Sequence, residues 1–183
     1  MEQAAGTKGL IIDIRNYPSE FVVFALGSLL VSGETPFVRA TQGDLSNPGA
    51  FHWDAPELLS PQKPHYSGKV VVLVDESSIS QAEFTAMAFR AAGAIVVGST
   101  TSGADGNVSQ FQLPGGLQTM ISGLGVFYPD KKPTQRIGIK PDVEAEPTIT
   151  GILARRDEVV EAALREILGS NVPAGEIEEM AKP

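Results

Sequence analysis

Three serines, Ser77, Ser78 and Ser80, lie at the junction where an apolar run ends at Asp75 and a helical pattern begins, in the stretch "VLVDESSISQAEFTAMAFRAAG" at 72–93. Ser80-Gln-Ala-Glu83 fits a capping box, in which the serine side chain bonds the third helical amide and the glutamate bonds back. A serine at such a junction also lies beside free backbone amides and the positive end of the helix dipole, which can stabilise an oxyanion. Ser80 is therefore a helix cap or a nucleophile, and the local sequence leaves both open.

A serine nucleophile needs a neighbouring base that accepts its proton. The chain has two histidines, His52 and His65, and both lie in residues 43–68, a proline-rich segment predicted to be a long loop with a short strand at 51–53. No His-Asp-Ser order with a persuasive spacing appears in the sequence. The chain has no cysteine and no histidine pair at helical spacing, so we expect neither a metal site nor a cofactor.

A second group of small polar residues follows a predicted strand, in "TTSGADGNVS" at 100–109. Its glycines, Gly103 and Gly106, suit a plain turn as well as a binding loop. Ligands in open α/β sheets gather at the carboxyl ends of strands, and Ser80 also follows a strand, so the two loops could share one edge. Ser102 and Asp105 would then line the site, with Asp105 as a proton acceptor or an orienting group.

The elements that would position these residues are predicted by hydrophobic spacing. Apolar or alternating runs predict strands at 9–15, 36–42, 51–53, 69–76 and 94–99. Apolar residues at helical spacing predict helices at 19–32, 80–92 and 157–168, the first opened by Pro18. Residues 109–122 and 123–130 alternate around "PGG" and predict a β-hairpin or a small antiparallel layer. Strand, helix and strand over 69–99 form a βαβ unit, which predicts an α/β fold with a parallel sheet flanked by helices.

Length and composition restrict the class of protein. The chain has 183 residues, which favours one domain, and we predict a domain over 1–169 followed by a flexible acidic tail over 170–183. The net charge is −8, and the 14 Lys and Arg are scattered, so we expect no nucleic-acid partner. The longest apolar run, residues 21–31, is too short to span a bilayer, so we expect no membrane span.

Three segments resemble one family. They are "GLIIDIRNYP", "VVVLVDESSISQAEFTAMAFRAAGAIVVGSTTSG" and "RIGIKPDVEAEPT", and they occur in the order found in the C-terminal processing, or tail-specific, serine peptidases, which include the tricorn core protease. The resemblance covers residues 9–168. It implies a ClpP/crotonase-like fold, with a catalytic serine at a helix N-terminus.

The resemblance also implies a chemistry and a set of site residues. Ser80 matches the nucleophile of the family's Ser-Ala-Ser-Ala-Ser-Glu motif and Glu83 matches its glutamate. The implied activity is endopeptidase cleavage of unfolded or C-terminal polypeptide segments through an acyl-enzyme, with the amides of Gln81 and Ser19 in the oxyanion hole. Glu83, Ser102, Gly103 and Asp105 would line the site. A periplasmic or exported bacterial protein is implied, and homo-oligomers are expected.

The sequence departs from the family at three positions. The loop that carries the lysine of a Ser-Lys dyad reads Thr-Ser-Gly-Ala-Asp-Gly at 101–106, without a lysine. Gln135 falls where the tricorn-like branch has a glutamate, and Ser19-Glu20 stands where the family has Gly-Gly. We expect a fragment that lacks the family's PDZ module and helical N-terminal region. The general base stays unassigned: it lies upstream of this sequence, or the protein is a homologue that binds peptides without cutting them.

Two other functions are alternatives to the peptidase. The first is a non-catalytic homologue that binds peptides or apolar ligands, with Ser80 only capping its helix. Acyl-CoA chemistry, found in crotonase relatives, is disfavoured because nothing in the sequence resembles a nucleotide-recognition element.

Overall fold

The structure, a computed structural model, describes residues 2–182, and that range contains ten strands, five α-helices and a short 3-10 helix at Glu2–Ala4. The strands are β1 (Gly9–Asp13), β2 (Thr35–Gly43), β3 (Phe51–Trp53), β4 (Glu57–Leu59), β5 (Lys69–Val74), β6 (Ile95–Gly98), β7 (Val108–Gln112), β8 (Gln118–Ser122), β9 (Gly125–Phe127) and β10 (Val143–Glu144). The helices are α1 (Val23–Leu30), α2 (Gln81–Ala91), α3 (Ile149–Leu153), α4 (Glu158–Leu168) and α5 (Ala174–Met180).

A parallel four-stranded sheet in the order β1-β5-β6-β10 forms the centre of the domain. The continuous apolar sequence of β5 is typical of a strand covered on both faces. Val72 and Val74 pack with Ala82, Ala86 and other residues on the α1–α2 side of the sheet. Successive side chains of a strand point to opposite faces, so the intervening Val71 and Leu73 lie on the other side, where α4 packs through Val159 and Ala163.

A second, antiparallel sheet has the order β3-β2-β4, and β9 also pairs with β2. β7 and β8 form a separate hairpin whose closing residue pair is Gln112 with Gln118. Gly115 and Gly116 in its turn have φ of +89° and +85°, a region that glycine occupies without steric cost. The predicted α/β class, with a parallel sheet, flanking helices and a small antiparallel layer, is confirmed.

Two sequence predictions were wrong in detail: the start of the first helix and the strand content of residues 43–68. The first helix begins at Val23 and not at residue 19. The carbonyl of Glu20 instead accepts a hydrogen bond from the Gln81 side chain at 2.9 Å, which draws residues before the helix towards the start of α2. The segment 43–68 also contains a strand that composition concealed, β4, because Leu59 is fully buried and pairs with Thr35 of β2.

The segment predicted as a flexible tail contains the helix α5. Ile177 is fully buried, and Arg156 bridges the two terminal helices by pairing with Glu161 at 2.6 Å and with Glu178 at 3.4 Å. Ile177, the buried Ala181 and the ion pair with Arg156 anchor this short acidic helix. The domain boundary at residue 169 stays a prediction. No helix within residues 2–182 has the length and apolar character needed to cross a membrane.

Candidate active site

The serines of the β5–α2 junction have different surroundings. Ser78 is fully buried, and its hydroxyl donates to the carbonyl of Ile14 at 3.1 Å. The hydroxyl of Ser77 lies 2.8 Å from the carbonyl oxygen of Arg15 and 2.7 Å from the carboxylate of Asp75, and it can donate its single proton to either. Ser77 and Ser78 therefore tie the end of β5 to the end of β1.

Ser80 has an unusual backbone conformation, with φ of 71° and ψ of −101°. A positive φ is sterically unfavourable for any residue with a Cβ atom, and such strain is typical of functional sites. The strained turn joins β5 directly to α2 and leaves the Ser80 side chain partly accessible to solvent.

Both halves of a capping box are present around Ser80, but only the glutamate half makes a full hydrogen bond. The carboxylate of Glu83 accepts a hydrogen bond from the backbone N–H of Ser80 at 3.2 Å. The Ser80 hydroxyl faces the third helical amide, but it makes no hydrogen bond to an amide of the helix. At α4, by contrast, the cap is complete, since the carboxylate of Asp157 accepts from the Val160 N–H at 3.1 Å.

Ser80 lines a cavity of about 390 Å³ at the start of α2. Its walls also contain residues of the β1–α1 connection, of the strands β2, β4 and β9, and of the loop that follows β6. Phe21 and Phe84 are stacked with ring centroids 6.0 Å apart and form part of the apolar lining. The cavity therefore combines a serine hydroxyl with a surface that can hold an extended, largely apolar ligand.

Glu83 joins α2 to the loop that follows β6. Its carboxylate is fully buried and accepts from the backbone N–H groups of Gly103 at 2.8 Å and Ala104 at 2.9 Å, and from the Thr101 hydroxyl at 2.5 Å. These bonds compensate for the desolvation of the carboxylate. Gly103 has φ of +69°, and a Cβ atom there would lie 2.9 Å from the nitrogen of Gly138, so this position accepts only glycine without rearrangement.

Asp105, held at the end of this loop, lies in the same cavity as Ser80. Its residue exposure is 4%, and Oδ2 has no hydrogen-bond partner among the described residues. The pKa of Asp105 is raised to about 7, first by burial and then by the negative charge of Glu83, while the N–H of Gly106 opposes the shift. A buried carboxyl with this pKa can accept and release a proton near neutral pH.

The other residues named from the sequence are divided between the cavity and its surroundings. Gln81 lines the cavity and occupies the first position of α2, where backbone amides have no helical partner. Ser19 is exposed and does not line the cavity. Ser102 is also outside it, and its hydroxyl donates to the carbonyl of Glu76 at 2.8 Å.

Neither histidine lines the cavity. The His52 side chain is 69% exposed and lies 3.2 Å from the carboxylate of Asp44. His65 is exposed on the long connection that precedes β5. Within residues 2–182, no group of three or more His, Asp or Glu side chains is arranged to hold a metal ion.

Most of the cavity residues were not predicted from the sequence as site residues, and Tyr17, Phe21 and Glu57 are among them. Glu57 belongs to β4, whose strand character was hidden by the surrounding prolines. Tyr17 and Phe21 lie where a helix was predicted to begin, and aromatic residues near Pro18 carried no signal of a binding site. Only the packing of β2 and α1 against α2 brings them to Ser80.

The sequence model of peptidase family S41 matches residues 1–145, most of the chain. The chain belongs to peptidase family S41. The S41 assignment confirms the resemblance to the C-terminal processing proteases, which are serine-type peptidases. No curated protein matches the chain.

Solved structures share this S41 fold. A protein of Parabacteroides merdae assigned as a peptidase is 25% identical, with a TM-score of 0.81 over 90% of this chain and 53% of that one. The photosystem II D1 C-terminal processing protease is 19% identical, with a TM-score of 0.61 over 94% of this chain and 42% of that one. The tricorn protease is 19% identical, with a TM-score of 0.52 over 93% of this chain and 15% of that one. The chain thus spans about half, or less, of the length of the structures that it matches.

Proposed function

We propose that this S41 chain carries the nucleophile of a serine-type endopeptidase that cleaves unfolded or C-terminal segments of polypeptides. The observation that carries the proposal is the state of Ser80, whose hydroxyl makes no capping bond, sits on a strained backbone and lines a cavity. A residue that served only as a helix cap would use its hydroxyl as Asp157 uses its carboxylate. Membership of family S41 supports the same reaction class.

The reaction begins with attack of the Ser80 Oγ on the scissile carbonyl carbon. The negative charge that develops on the carbonyl oxygen is stabilised by the free backbone N–H of Gln81 and by the positive end of α2. Collapse of this intermediate breaks the C–N bond, which releases the amine product and leaves an ester on Ser80. Water then attacks the ester and restores the free hydroxyl.

Asp105 is the proton acceptor in this proposal. Its carboxylate takes the Ser80 proton during attack, gives it to the leaving amine, and repeats the transfer with water in the second half of the reaction. Asp105 shares the cavity with Ser80, whereas His52 and His65 do not line it. The raised pKa of Asp105, about 7, suits a general base that works near neutral pH.

Active-site labelling with a fluorophosphonate, read by intact mass, tests the proposal. We expect one adduct per chain on the unmodified protein, none on Ser80→Ala, and an unchanged adduct on the matched control Ser102→Ala. The Asp105→Asn variant should label much more slowly, and the wild-type labelling rate should rise with pH through about 7. Absence of an adduct on the unmodified protein, or equal labelling of Ser80→Ala, would overturn the nucleophile assignment and favour a non-catalytic binding protein.

A further inference from the structure

We propose that the cavity beside Ser80 receives a lysine or arginine side chain of the polypeptide, and that Glu57 is the residue that selects its positive charge. The inference rests on the proposed function only in taking a polypeptide as the ligand. It adds the chemical class of the residue next to the scissile bond.

The charge of the cavity is the first argument. Of the residues that line it, Glu57 and Asp105 are the charged ones, and none is Lys, Arg or His. Arg39 lies between the cavity residues Val38 and Ala40 on β2, but alternation along the strand turns it to the other face, where its Nε donates to the carbonyl of Asp54 at 2.7 Å. The two carboxyl groups are therefore left without a cation inside the cavity.

The state of these carboxyl groups is the second argument. The side chain of Glu57 is exposed at the cavity wall, and Oδ2 of Asp105 is buried without a partner among the described residues. The pKa of Glu57 is raised, first by burial and then by the negative charge of Asp54. A cation bound in the cavity would relieve this unfavourable environment, because opposite charge stabilises the ionised carboxylate. Glu57 is exposed enough to meet an incoming ligand, while Asp105 adds negative potential from deeper in the wall.

The apolar lining is the third argument. A lysine or arginine side chain has an aliphatic stem and a charged end, and it buries the stem while the charge finds a polar partner. Phe21, Phe84 and Val126 offer the apolar surface, and the face of an aromatic ring also attracts a cation. A purely apolar side chain would give Glu57 no partner, and a free C-terminal carboxylate would meet the like charge of Glu57. The cavity is thus suited to an internal basic residue.

Peptide binding to the Ser80→Ala protein tests the inference without any catalysis. Three fluorescently labelled peptides would be identical except for one central residue, which is lysine, norleucine or glutamate. Norleucine keeps the aliphatic stem and removes the charge. We expect fluorescence anisotropy to show about tenfold tighter binding of the lysine peptide than of the norleucine peptide, with the glutamate peptide weakest.

Glu57→Gln in the same Ser80→Ala background should bring the lysine and norleucine peptides to similar affinity. Glu144→Gln is the matched control, because it removes one exposed carboxylate outside the cavity and should leave the preference unchanged. If Glu57→Gln does not fold, the salt dependence of binding to the Ser80→Ala protein is measured instead. The preference for the lysine peptide should then fall sharply between about 0.1 and 1 M salt.

Equal binding of the lysine and norleucine peptides, no binding of the lysine peptide, or a preference that survives Glu57→Gln would each overturn the inference. These results are independent of fluorophosphonate labelling. A protein that labels at Ser80 but shows no cation preference would keep the proposed function and lose the assignment of Glu57. A protein that prefers the lysine peptide but never labels at Ser80 would keep the assignment of Glu57 and lose the proposed function.

Discussion

The carboxylate of Glu83 accepts a hydrogen bond from the backbone N–H of Gly103 at 2.8 Å, joining the first turn of α2 to the loop after β6. The same carboxylate accepts from the N–H of Ser80 at 3.2 Å. One buried side chain therefore sets the position of the candidate nucleophile and of the loop that carries Asp105. The glutamate that the sequence marks as half of a capping box is, in the folded chain, the connection between two halves of the cavity.

The first prediction concerns this connection. Glu83→Gln keeps the shape of the side chain but replaces one acceptor oxygen with a donor, which would face backbone N–H groups. We expect the free energy of unfolding to fall by about 2–4 kcal/mol, measured by urea denaturation, because a buried, charge-assisted network is left partly unsatisfied. Glu144→Gln, at an exposed position, is the control. A Glu83→Gln protein as stable as the wild type would show that these bonds do not hold the loop.

The second prediction concerns the pH dependence of stability. The pKa of Asp105 is about 7 in the folded protein, above its ordinary value of 3.8. Between these two values the unfolded chain releases the proton and the folded chain keeps it, so stability falls as pH rises through this range and the loss is complete above about pH 7.

Asp105→Asn removes this penalty. At pH 8 we expect Asp105→Asn to be more stable than the wild type by up to about 4 kcal/mol, and at pH 4 the two should be similar. Urea denaturation at both pH values measures the difference. Asp130→Asn, which removes an exposed carboxylate that pairs with Lys132, should show no such gain at pH 8. An equal effect of Asp105→Asn at both pH values would contradict the raised pKa.

The third prediction separates strain from capping at Ser80. Ser80→Gly should raise stability by about 1 kcal/mol, because glycine adopts a φ of 71° without the steric cost that a Cβ atom imposes. Ser80→Ala should change stability by less than about 0.5 kcal/mol, since no capping bond is lost. Asp157→Ala, which breaks a formed cap and also the ion pair with Arg15, should cost at least about 1 kcal/mol and serves as the comparison. A comparable loss for Ser80→Ala would favour the capping hypothesis.

The fourth prediction concerns the C-terminal helix. Ile177→Ala should destabilise the domain by about 2–4 kcal/mol, because it empties a fully buried site between α5 and α4. Met180→Ala lies on the same helix but is 52% exposed, and it should have little effect. Thermal unfolding followed by circular dichroism would measure both. Equal, small effects would mean that α5 does not contribute to the stability of the domain.

Elements that depend on neighbouring residues were predicted from the sequence, and elements that depend on contacts between distant residues were not. The strands β1, β5 and β6 and the helices α2 and α4 were predicted close to their observed bounds, because their apolar spacing is a local property. The start of α1 was misplaced because a contact from Gln81, 61 residues along the chain, engages the carbonyl of Glu20. Strand β4 was missed because its pairing with β2 is not encoded in its own composition.

By itself the sequence determined the α/β class, the resemblance to the tail-specific peptidases and the location of Ser80 at a strand-to-helix junction. These depend on local periodicity and on a run of neighbouring residues. Only the tertiary structure decided that the Ser80 hydroxyl makes no full capping hydrogen bond and that Glu83 bonds a loop 18 to 21 residues away. It also decided that Asp105 and Glu57 share one cavity with Ser80. The physical reason is that the burial and hydrogen bonding of a polar group depend on segments brought together by folding, and spacing along the chain does not specify them.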